Sequence, residues 1–447
     1  MKKHYKLPFA LVIILISISS ALQAQRKPLY AGTKTPYTKP FVKYTPAPLG
    51  YRPVFVNYVG RHGARFMTKS GADKQALALL DEAAAQQALT TTGRKIRRSV
   101  YNMLTIQREG YEKITLLGAE EQKGIGQRIY DQYKTAFSGM GIQVQYTFKV
   151  RTQQSADAFL AGYKNYPGAI TIEKKSDSSN AILRFYDLSP AYILYKESAS
   201  VKASLDSLEN TAENKEIIRR VCLKIFTTAY ANQLIAKGKA AGFVENLYEL
   251  YAAGFAVTGE MKNRGFNSDS VNLKIAFTEA DLKWMDLKAG AADFLEKGPG
   301  RDTNGIQVKI AAPLLADFLL ITDSAVRNKK TDAVFRFTHA EAISPFASLM
   351  EIPAASTSSP GIFQYAKHWQ IENIIPLSAN IQWILYSNGK KYLIKVLANE
   401  KEVRLPIASA TVPYYDWEAF RNFYVRKLQS INVRPDTDML GYLKTVQ

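Results

Sequence analysis

One apolar run in this 447-residue chain breaks off abruptly into a charged segment. The letters VFVNYV, from Val54 to Val59, predict a buried β-strand, and GRHGAR follows directly. That segment places His62, one of only four histidines, between two arginines. Positive charge on both sides makes an imidazole harder to protonate. The segment is therefore suited to keep a neutral histidine beside a negatively charged group.

Two further predicted strands end in residues with chemical capability. Val144 to Val150 alternates apolar and polar residues and leads into Arg151, while Ala333 to Thr338 leads into a histidine and a glutamate. Ligands of open α/β sheets bind outside the carboxyl ends of the strands. If the three strands are parallel neighbours, their terminal residues meet in one crevice. These residues are Arg61, His62, Arg65, Arg151, His339 and Glu341.

The rest of the pattern predicts an α/β fold, a mixed central sheet with helices on both faces plus an inserted mainly α-helical domain. Asn388-Gly389 between the apolar runs IQWILY and YLIKVL predicts a β-hairpin. From about residue 190 to 300 the spacing of apolar residues is helical. We expect an α/β core over 25–185 and 305–447, with the helical insertion over 186–304.

The first 24 residues have the composition of a secretory signal peptide. Lys2, Lys3 and Lys6 precede an apolar run from Leu7 to Ile18, and small residues follow it. Cleavage after Ala21 or after Ala24 fits the pattern equally well. The apolar run is too short to span a membrane. We therefore expect an exported protein, periplasmic or extracellular, without a membrane anchor.

The cysteine count and the charge restrict the chemistry. Cys222 is the only cysteine, so no intrachain disulfide can form, and its apolar surroundings predict a buried side chain. The formal charge of +20 favours a polyanionic partner. Nucleic acid is not expected, because zinc-finger spacing, RNP motifs and arginine-rich tails are missing from the sequence. A small, heavily phosphorylated substrate satisfies the same charge.

The residues at the strand ends suit phosphoryl transfer. Three arginines can bind the non-bridging oxygens of a phosphate through paired N–H donors. A neutral imidazole can attack phosphorus and form a covalent intermediate. A carboxylic acid can protonate the leaving alkoxide and then deprotonate water. Because no group of carboxylates or histidines has metal-ligand spacing, we expect a mechanism without metal or cofactor.

The motifs resemble those of the histidine acid phosphatases, the second branch of the histidine phosphatase superfamily. RHGARFMT is similar to their RHGxRxPT signature, with Met67 where most members have proline. ITLLG resembles their LTxxG stretch, and Arg151 with Ser155-Ala156 stands where the family has a third arginine. Most members carry His-Asp as a second motif. The HAE at 339–341 instead resembles the multiple inositol polyphosphate phosphatases, as do IIPLSANIQWILY and VLANEKEVRLP.

The resemblance implies a role for each residue. His62 would be the nucleophile and Glu341 the proton donor. The phosphate ligands would be Arg61, Arg65, Arg151 and His339, and Thr68 would either bind phosphate or cap local structure. The implied activity is hydrolysis of inositol polyphosphates, phytate foremost, through a phosphohistidine. A broad acid phosphatase of sugar phosphates and a non-catalytic polyanion-binding protein are the alternatives, and the sequence does not indicate an oligomeric state.

Overall fold

A computed structural model describes residues 28–175, 180–267, 269–328 and 330–447. The predicted signal peptide, 1–24, lies outside these ranges. The described β-strands form one mixed sheet in the order β3-β2-β4-β1-β5-β6-β7, and β8 pairs with β6. The strands are β1 (Arg52–Arg61), β2 (Ile142–Thr147), β3 (Ile170–Lys175), β4 (Ala333–Thr338), β5 (Asn380–Ser387), β6 (Tyr392–Ala398), β7 (Lys401–Glu402) and β8 (Tyr414–Asp416).

Helices make up most of the remaining regular structure. Those that follow β1 and β2 are α1 (Ala72–Ala85), α2 (Thr91–Gln107), α3 (Leu116–Gln132) and α4 (Val150–Leu160). Those between β3 and β4 are α5 (Pro190–Lys196), α6 (Ala199–Glu209), α7 (Ala212–Ile225), α8 (Thr228–Ala236), α9 (Ala240–Gly254), α10 (Thr258–Asn263), α11 (Glu279–Glu296), α12 (Ile306–Lys309) and α13 (Ala312–Asn328). Those after β4 are α14 (Ala340–Leu349), α15 (Ile371–Ile374), α16 (Trp417–Gln429) and α17 (Met439–Thr445). None of the helices in the described ranges is long and apolar enough to cross a membrane.

The three strands that carry the predicted site are parallel neighbours. β4 lies between β1 and β2, and both pairings are parallel. Arg61 lies opposite Thr338 in the pairing of β1 with β4, and Tyr146 lies opposite Phe337 in the pairing of β2 with β4. The carboxyl ends of the three strands therefore lie side by side at the same end of the sheet. The other edge of β1 pairs with β5 in antiparallel orientation, and β5 pairs with β6 as the predicted hairpin. Both predictions are confirmed.

Helices cover both faces of the sheet. Successive residues of β1 point to opposite sides, and since apolar residues point to each side, both faces have to be buried. Phe55 and Val59 belong to an apolar cluster that includes residues of α13, α14 and α16. Val56 and Tyr58 belong to another cluster, which includes residues of α3 and α4. The predicted class, a mixed sheet with helices and a helical insertion, is confirmed.

The helices between β3 and β4 pack partly on the sheet and partly on α1 and α2. One cluster joins Val100 of α2 to Val221 of α7 and Leu247 of α9. Cys222 lies in this cluster, and burial raises the pKa of its thiol to about 12. The thiol is therefore a buried apolar group, as expected. The division of the chain at 186 and 304 stays a prediction.

The end of β2 differs from the expectation. The predicted strand continues to Val150, whereas β2 ends at Thr147 and α4 begins at Val150 rather than near Ser155. Phe148 and Val150 alternate in the sequence but are 39% and 38% exposed, so their spacing does not reflect burial. The Thr152 hydroxyl donates to the carbonyls of Thr147 and Lys149 and closes the turn that starts the helix. Arg151 consequently lies in the first turn of a helix.

Candidate active site

The end of β1 holds His62 between the two neighbouring strands. The backbone N–H of His62 donates to the Thr338 carbonyl at 3.0 Å, at the end of β4. The His62 carbonyl accepts from the backbone N–H of Ser378 at 3.1 Å, just before β5. Since both bonds use the backbone, the strand ends fix the position of the side chain independently of its chemistry.

The ring of His62 has a defined tautomer. Its Nδ1 lies 3.0 Å from the carbonyl oxygen of Gly63. A carbonyl oxygen only accepts, so Nδ1 carries the hydrogen and Nε2 carries the free lone pair. Burial, followed by the charges of Arg61 and Arg65, holds the pKa of His62 well below its usual value. The ring of His62 is therefore neutral with a free lone pair on Nε2, and its role as the nucleophile stays a prediction.

A buried carboxylate supports the loop that follows His62. The backbone N–H of Ala64 donates to Glu121 Oε2 at 2.9 Å, and the backbone N–H of Tyr37 donates to Oε1 at 2.8 Å. Glu121 is missing from the predicted site. The sequence does carry a signal for it, because Glu121, Ile125 and Ile129 are spaced by four and share the buried face of α3.

Two glycines allow α3 to approach this loop. A Cβ on Gly63 would lie 2.6 Å from the Gly118 carbonyl oxygen, and a Cβ on Gly118 would overlap the backbone of Ala64. The N-terminus of α3 is capped by the Thr115 side chain, which accepts from the Gly118 N–H at 3.2 Å. The Thr115 hydroxyl therefore caps α3, and the close contact explains why glycine stands at 118, where a capping box would have glutamate or glutamine.

We expect Gly118→Ala to destabilise the fold, because two backbones must separate to admit the methyl group. The expected loss is about 3 kcal/mol in the free energy of unfolding, measured by urea denaturation. Gly242→Ala in α9 is the matched control, because no atom lies within 4 Å of its added Cβ. That variant should gain up to about 1 kcal/mol from helix propensity. Equal stabilities for the two variants would contradict the packing argument.

Buried N–H groups of three arginines converge around His62. Each of Arg61, Arg65 and Arg151 lowers the pKa of His62 by its charge, so all three lie within electrostatic range of the ring. Arg61 Nη1 donates to the carbonyls of Thr33 at 2.7 Å and Ile375 at 2.6 Å, which anchors one side of its guanidinium. The nitrogens buried without a hydrogen-bond partner among the described residues include Arg61 Nε, Arg65 Nε, Arg151 Nε, Arg151 Nη1 and His339 Nδ1.

These unpartnered donors suit an anion. Buried N–H groups without partners are costly, and an oxyanion would satisfy several of them at once. Burial lowers the pKa of both Arg61 and Arg65 to about 10, so both remain cationic in acidic and neutral solution. The end of β1, the loop after it and the first turn of α4 thus bring three guanidinium groups together where the sequence predicts a phosphate.

His339 faces His62 across this space. Their ring centroids are 5.5 Å apart, and Nε2 of His339 lies 3.1 Å from Thr147 Oγ1 at the end of β2. Burial, then the charge of Arg151, holds the pKa of His339 well below its usual value. The ring is therefore neutral, and Nδ1 is buried without a hydrogen-bond partner among the described residues, so it is available to a ligand.

Glu341 lies in the first turn of α14, and its side chain is 39% exposed. Burial acts to raise the pKa of Glu341, but Lys297 and then His339 act against it and hold the pKa well below its usual value. Since His339 is neutral, the cations that act on Glu341 include Arg61 and, most strongly, Lys297. Its Nζ lies 3.6 Å from Glu341 Oε1. In the unliganded structure Glu341 is therefore an ionised carboxylate at the edge of the site.

Three outer cations were not predicted. Lys34 Nζ lies 3.3 Å from Glu249 Oε1. Burial lowers the pKa of Lys34, Glu249 acts in the opposite direction, and the charge of Arg65 lowers the pKa further. Arg184 Nη1 lies 3.5 Å from His339 Nε2, and its guanidinium stacks 4.6 Å from the Phe148 ring centroid. Lys297 is the third. None belongs to a strand end or motif, so only the folded chain brings them to the site.

Thr68 is exposed, and no hydrogen bond to another described residue ties it to the arginines, so its role stays a prediction. Among the residues that the structure describes, no group of three or more His, Cys, Asp or Glu side chains is arranged to hold a metal ion.

Comparison with known proteins identifies a family for the chain and solved structures with a similar fold. Residues 54–399 match the family model described as the histidine phosphatase superfamily (branch 2). No curated protein matches the sequence. The fold is similar to Bifidobacterium longum multiple inositol polyphosphate phosphatase in complex with phosphate, at 21% identity and a TM-score of 0.75 over 88% of this chain and 96% of that one. The same enzyme in complex with inositol hexasulfate gives 22% identity and a TM-score of 0.73 over the same shares.

A second protein of known structure has a similar fold. The phytase from D. castellii is 16% identical, with a TM-score of 0.67, over 92% of this chain and 89% of that one. At these identities the likeness concerns the fold, and the side-chain arrangement has to be judged from this chain's own residues.

Proposed function

The chain belongs to branch 2 of the histidine phosphatase superfamily, and from that premise we propose that it is an exported phosphomonoesterase of inositol polyphosphates, phytate foremost. The observation that carries the proposal is the set of buried, unpartnered guanidinium N–H groups around the neutral ring of His62. A dianionic phosphoryl group fits such a set, and an adjacent nucleophile gives it a reaction.

In the first step Nε2 of His62 attacks phosphorus in line with the ester oxygen. The N–P bond forms while the P–O bond to the inositol carbon-bound oxygen breaks. Arg61, Arg65 and Arg151 stabilise the charge on the non-bridging oxygens in the transition state. Glu341, protonated in the complex with substrate, transfers its proton to the leaving alkoxide. The products of this step are an alcohol and a phosphohistidine.

In the second step water releases the phosphate. Glu341 is now a carboxylate and takes a proton from a water molecule, whose oxygen attacks phosphorus. The N–P bond breaks, and the electron pair returns to Nε2 of His62. The hydrogen bond from Nδ1 to the Gly63 carbonyl, 3.0 Å long, keeps the ring in the same orientation through both steps. Inorganic phosphate leaves, and the enzyme returns to its starting state.

The outer cations support a substrate with several phosphates. Lys34, Arg184 and Lys297 lie outside the group of arginines that serves the reacting phosphate. A monophosphate needs only the three arginines, whereas the further phosphates of an inositol polyphosphate can contact the outer cations. The enzyme from Bifidobacterium longum crystallised with inositol hexasulfate, a polyanion of this shape. Export is proposed from the composition of residues 1–24.

The purified protein should release phosphate from phytate at acidic pH with a higher kcat/KM than from a hexose monophosphate. The measurement is phosphate release over time with each substrate, followed by chromatography of the inositol phosphate intermediates. Equal turnover of both substrates would favour a broad sugar phosphatase. Tight binding of phytate without any release of phosphate would favour a polyanion-binding protein instead.

A further inference from the structure

Lys297 occupies a distinctive position between two carboxylates at the edge of the site. It follows α11, and its Nζ lies 2.5 Å from Asp293 Oδ1 and 3.6 Å from Glu341 Oε1. The side chain is 18% exposed, so its ammonium group is reachable from the site without being fully solvated. Of its two partners, Asp293 is close enough for a full hydrogen bond, while the contact with Glu341 is longer and can be given up at lower cost.

Glu341 is surrounded by other charged and titratable groups, which fall into two sets. On the side of the reacting phosphate lie the arginines and His339, and on the side of the helices between β3 and β4 lies Lys297. The groups in electrostatic contact with Glu341 include Arg61, Arg65, Arg151, Tyr186, Asp187, Tyr192, Glu296, Lys297 and His339. A bound monoester neutralises the arginines but leaves Lys297 unchanged.

The chemistry of an inositol ring places a phosphate next to Lys297. Glu341 has to lie beside the leaving oxygen in order to protonate it. On inositol polyphosphates the carbons next to that oxygen carry phosphates of their own. A cation 3.6 Å from the proton donor is therefore close to the phosphate next to the reacting one.

We propose that Lys297 is a specificity-determining residue that pairs with Glu341 in the free enzyme and contacts the neighbouring phosphate of a polyphosphorylated substrate. The inference rests on the function proposed above and names the feature that the enzyme recognises, a second phosphate adjacent to the reacting one. Asp293 stays bound to the lysine in both states and keeps its ammonium group in place.

This exchange of partners would control the proton that the first step needs. While no substrate phosphate contacts Lys297, its charge stabilises the carboxylate of Glu341, which then holds no proton to donate. A neighbouring phosphate takes up the positive charge of the lysine and adds negative charge of its own near the carboxylate. Both effects favour the protonated acid, so Glu341 can protonate the leaving oxygen. A monoester lacks the second phosphate, so Glu341 is protonated, and able to assist its alkoxide, only at lower pH.

Lys297→Met tests the proposal through selectivity and pH dependence. We expect the ratio of kcat/KM for phytate to that for glucose 6-phosphate to fall about tenfold or more, as one charge-assisted contact is lost. For glucose 6-phosphate, the limb of the pH profile that reports loss of the acid's proton should move up by about one pH unit or more. A merely structural lysine would not move that limb.

Two further variants make the test decisive. Lys196→Met removes the same charge from a lysine whose Nζ lies 4.9 Å from the Tyr192 ring centroid, and both readouts should stay at wild-type values. Asp293→Asn removes the competing partner of Lys297, so the acid limb should move to lower pH, opposite to Lys297→Met. This second variant decides the matter if Lys297→Met does not fold, as judged by its melting temperature.

The outcomes separate this inference from the proposed function. Wild-type protein that releases no phosphate from phytate would overturn the function itself. Active wild-type protein, together with a folded Lys297→Met variant of unchanged selectivity and unchanged pH profile, would overturn only the role of Lys297.

Discussion

Replacing His62 by alanine is expected to lower kcat/KM for phytate by at least about 10⁴-fold. The variant keeps the arginines and can still bind phosphate, but it lacks the side chain that attacks phosphorus. The loss should therefore appear in kcat, with little change in the affinity for inorganic phosphate. Phosphate release in the steady state, combined with calorimetric titration of phosphate, measures both quantities.

A second histidine provides the control for this variant. His368 is exposed and is not one of the residues predicted to form the site, so His368→Ala should keep wild-type activity. The melting temperature of each variant shows whether the fold is retained. A folded His62→Ala variant with kcat/KM within about tenfold of wild type would contradict the nucleophile assignment, because loss of a nucleophile is far more damaging.

Replacing Glu341 by glutamine is expected to lower kcat for phytate by about 10²–10⁴-fold, the usual contribution of a general acid or base. The effect should depend on the leaving group. An inositol alkoxide needs a proton in order to leave, whereas p-nitrophenolate is stable without one. The first turnover of p-nitrophenyl phosphate should therefore remain fast, while the second step, which needs Glu341 as a base, becomes slow.

Stopped-flow absorbance separates these two steps. We expect Glu341→Gln to show a burst of p-nitrophenolate of about one equivalent of enzyme, followed by slow turnover. Glu351→Gln is the matched control, because Glu351 forms its ion pair with Lys427, at 2.7 Å, rather than with a residue of the site. Absence of a burst, with the first turnover slowed equally for both substrates, would rule out Glu341 as the proton donor.

Local sequence patterns were sufficient for the framework of the site. β1 and β4 are apolar runs buried on both faces, and β4 spans the predicted Ala333–Thr338. The Asn388-Gly389 pair predicts the hairpin between β5 and β6, because tight hairpin turns need a positive φ that few residues other than glycine tolerate. In the structure Gly389 has a φ of +88°. Both features depend on neighbours in the sequence, so they can be recognised without knowledge of the fold.

The end of β2 shows where such patterns mislead. Phe148 continues the alternation of the strand, but its ring lies under the guanidinium of Arg184 rather than in the core. The burial that alternation normally reports is replaced here by a cation–π contact with a residue from a distant segment. The sequence alone gives no reason to expect that partner.

The supporting residues of the site were missed for a related reason. Glu121 acts on the loop after His62 from a helix, and Lys34 and Lys297 reach the site from the N-terminal segment and from the helices between β3 and β4. Their roles depend on contacts between residues that are far apart in the chain. Only the spacing of Glu121 on the buried face of α3 offers a sequence signal, and the two lysines offer none.

The most direct test of the account is to trap the covalent intermediate. Glu341→Gln is mixed with ³²P-labelled phytate, quenched in base to preserve phosphohistidine, and digested for peptide mapping. We predict up to about one phosphoryl group per chain, attached to His62, because the variant forms the N–P bond and hydrolyses it slowly. The label should be missing from the Glu341→Gln variant that also carries His62→Ala. Phosphate release without any label on the chain, or label on another residue, would contradict the phosphohistidine mechanism.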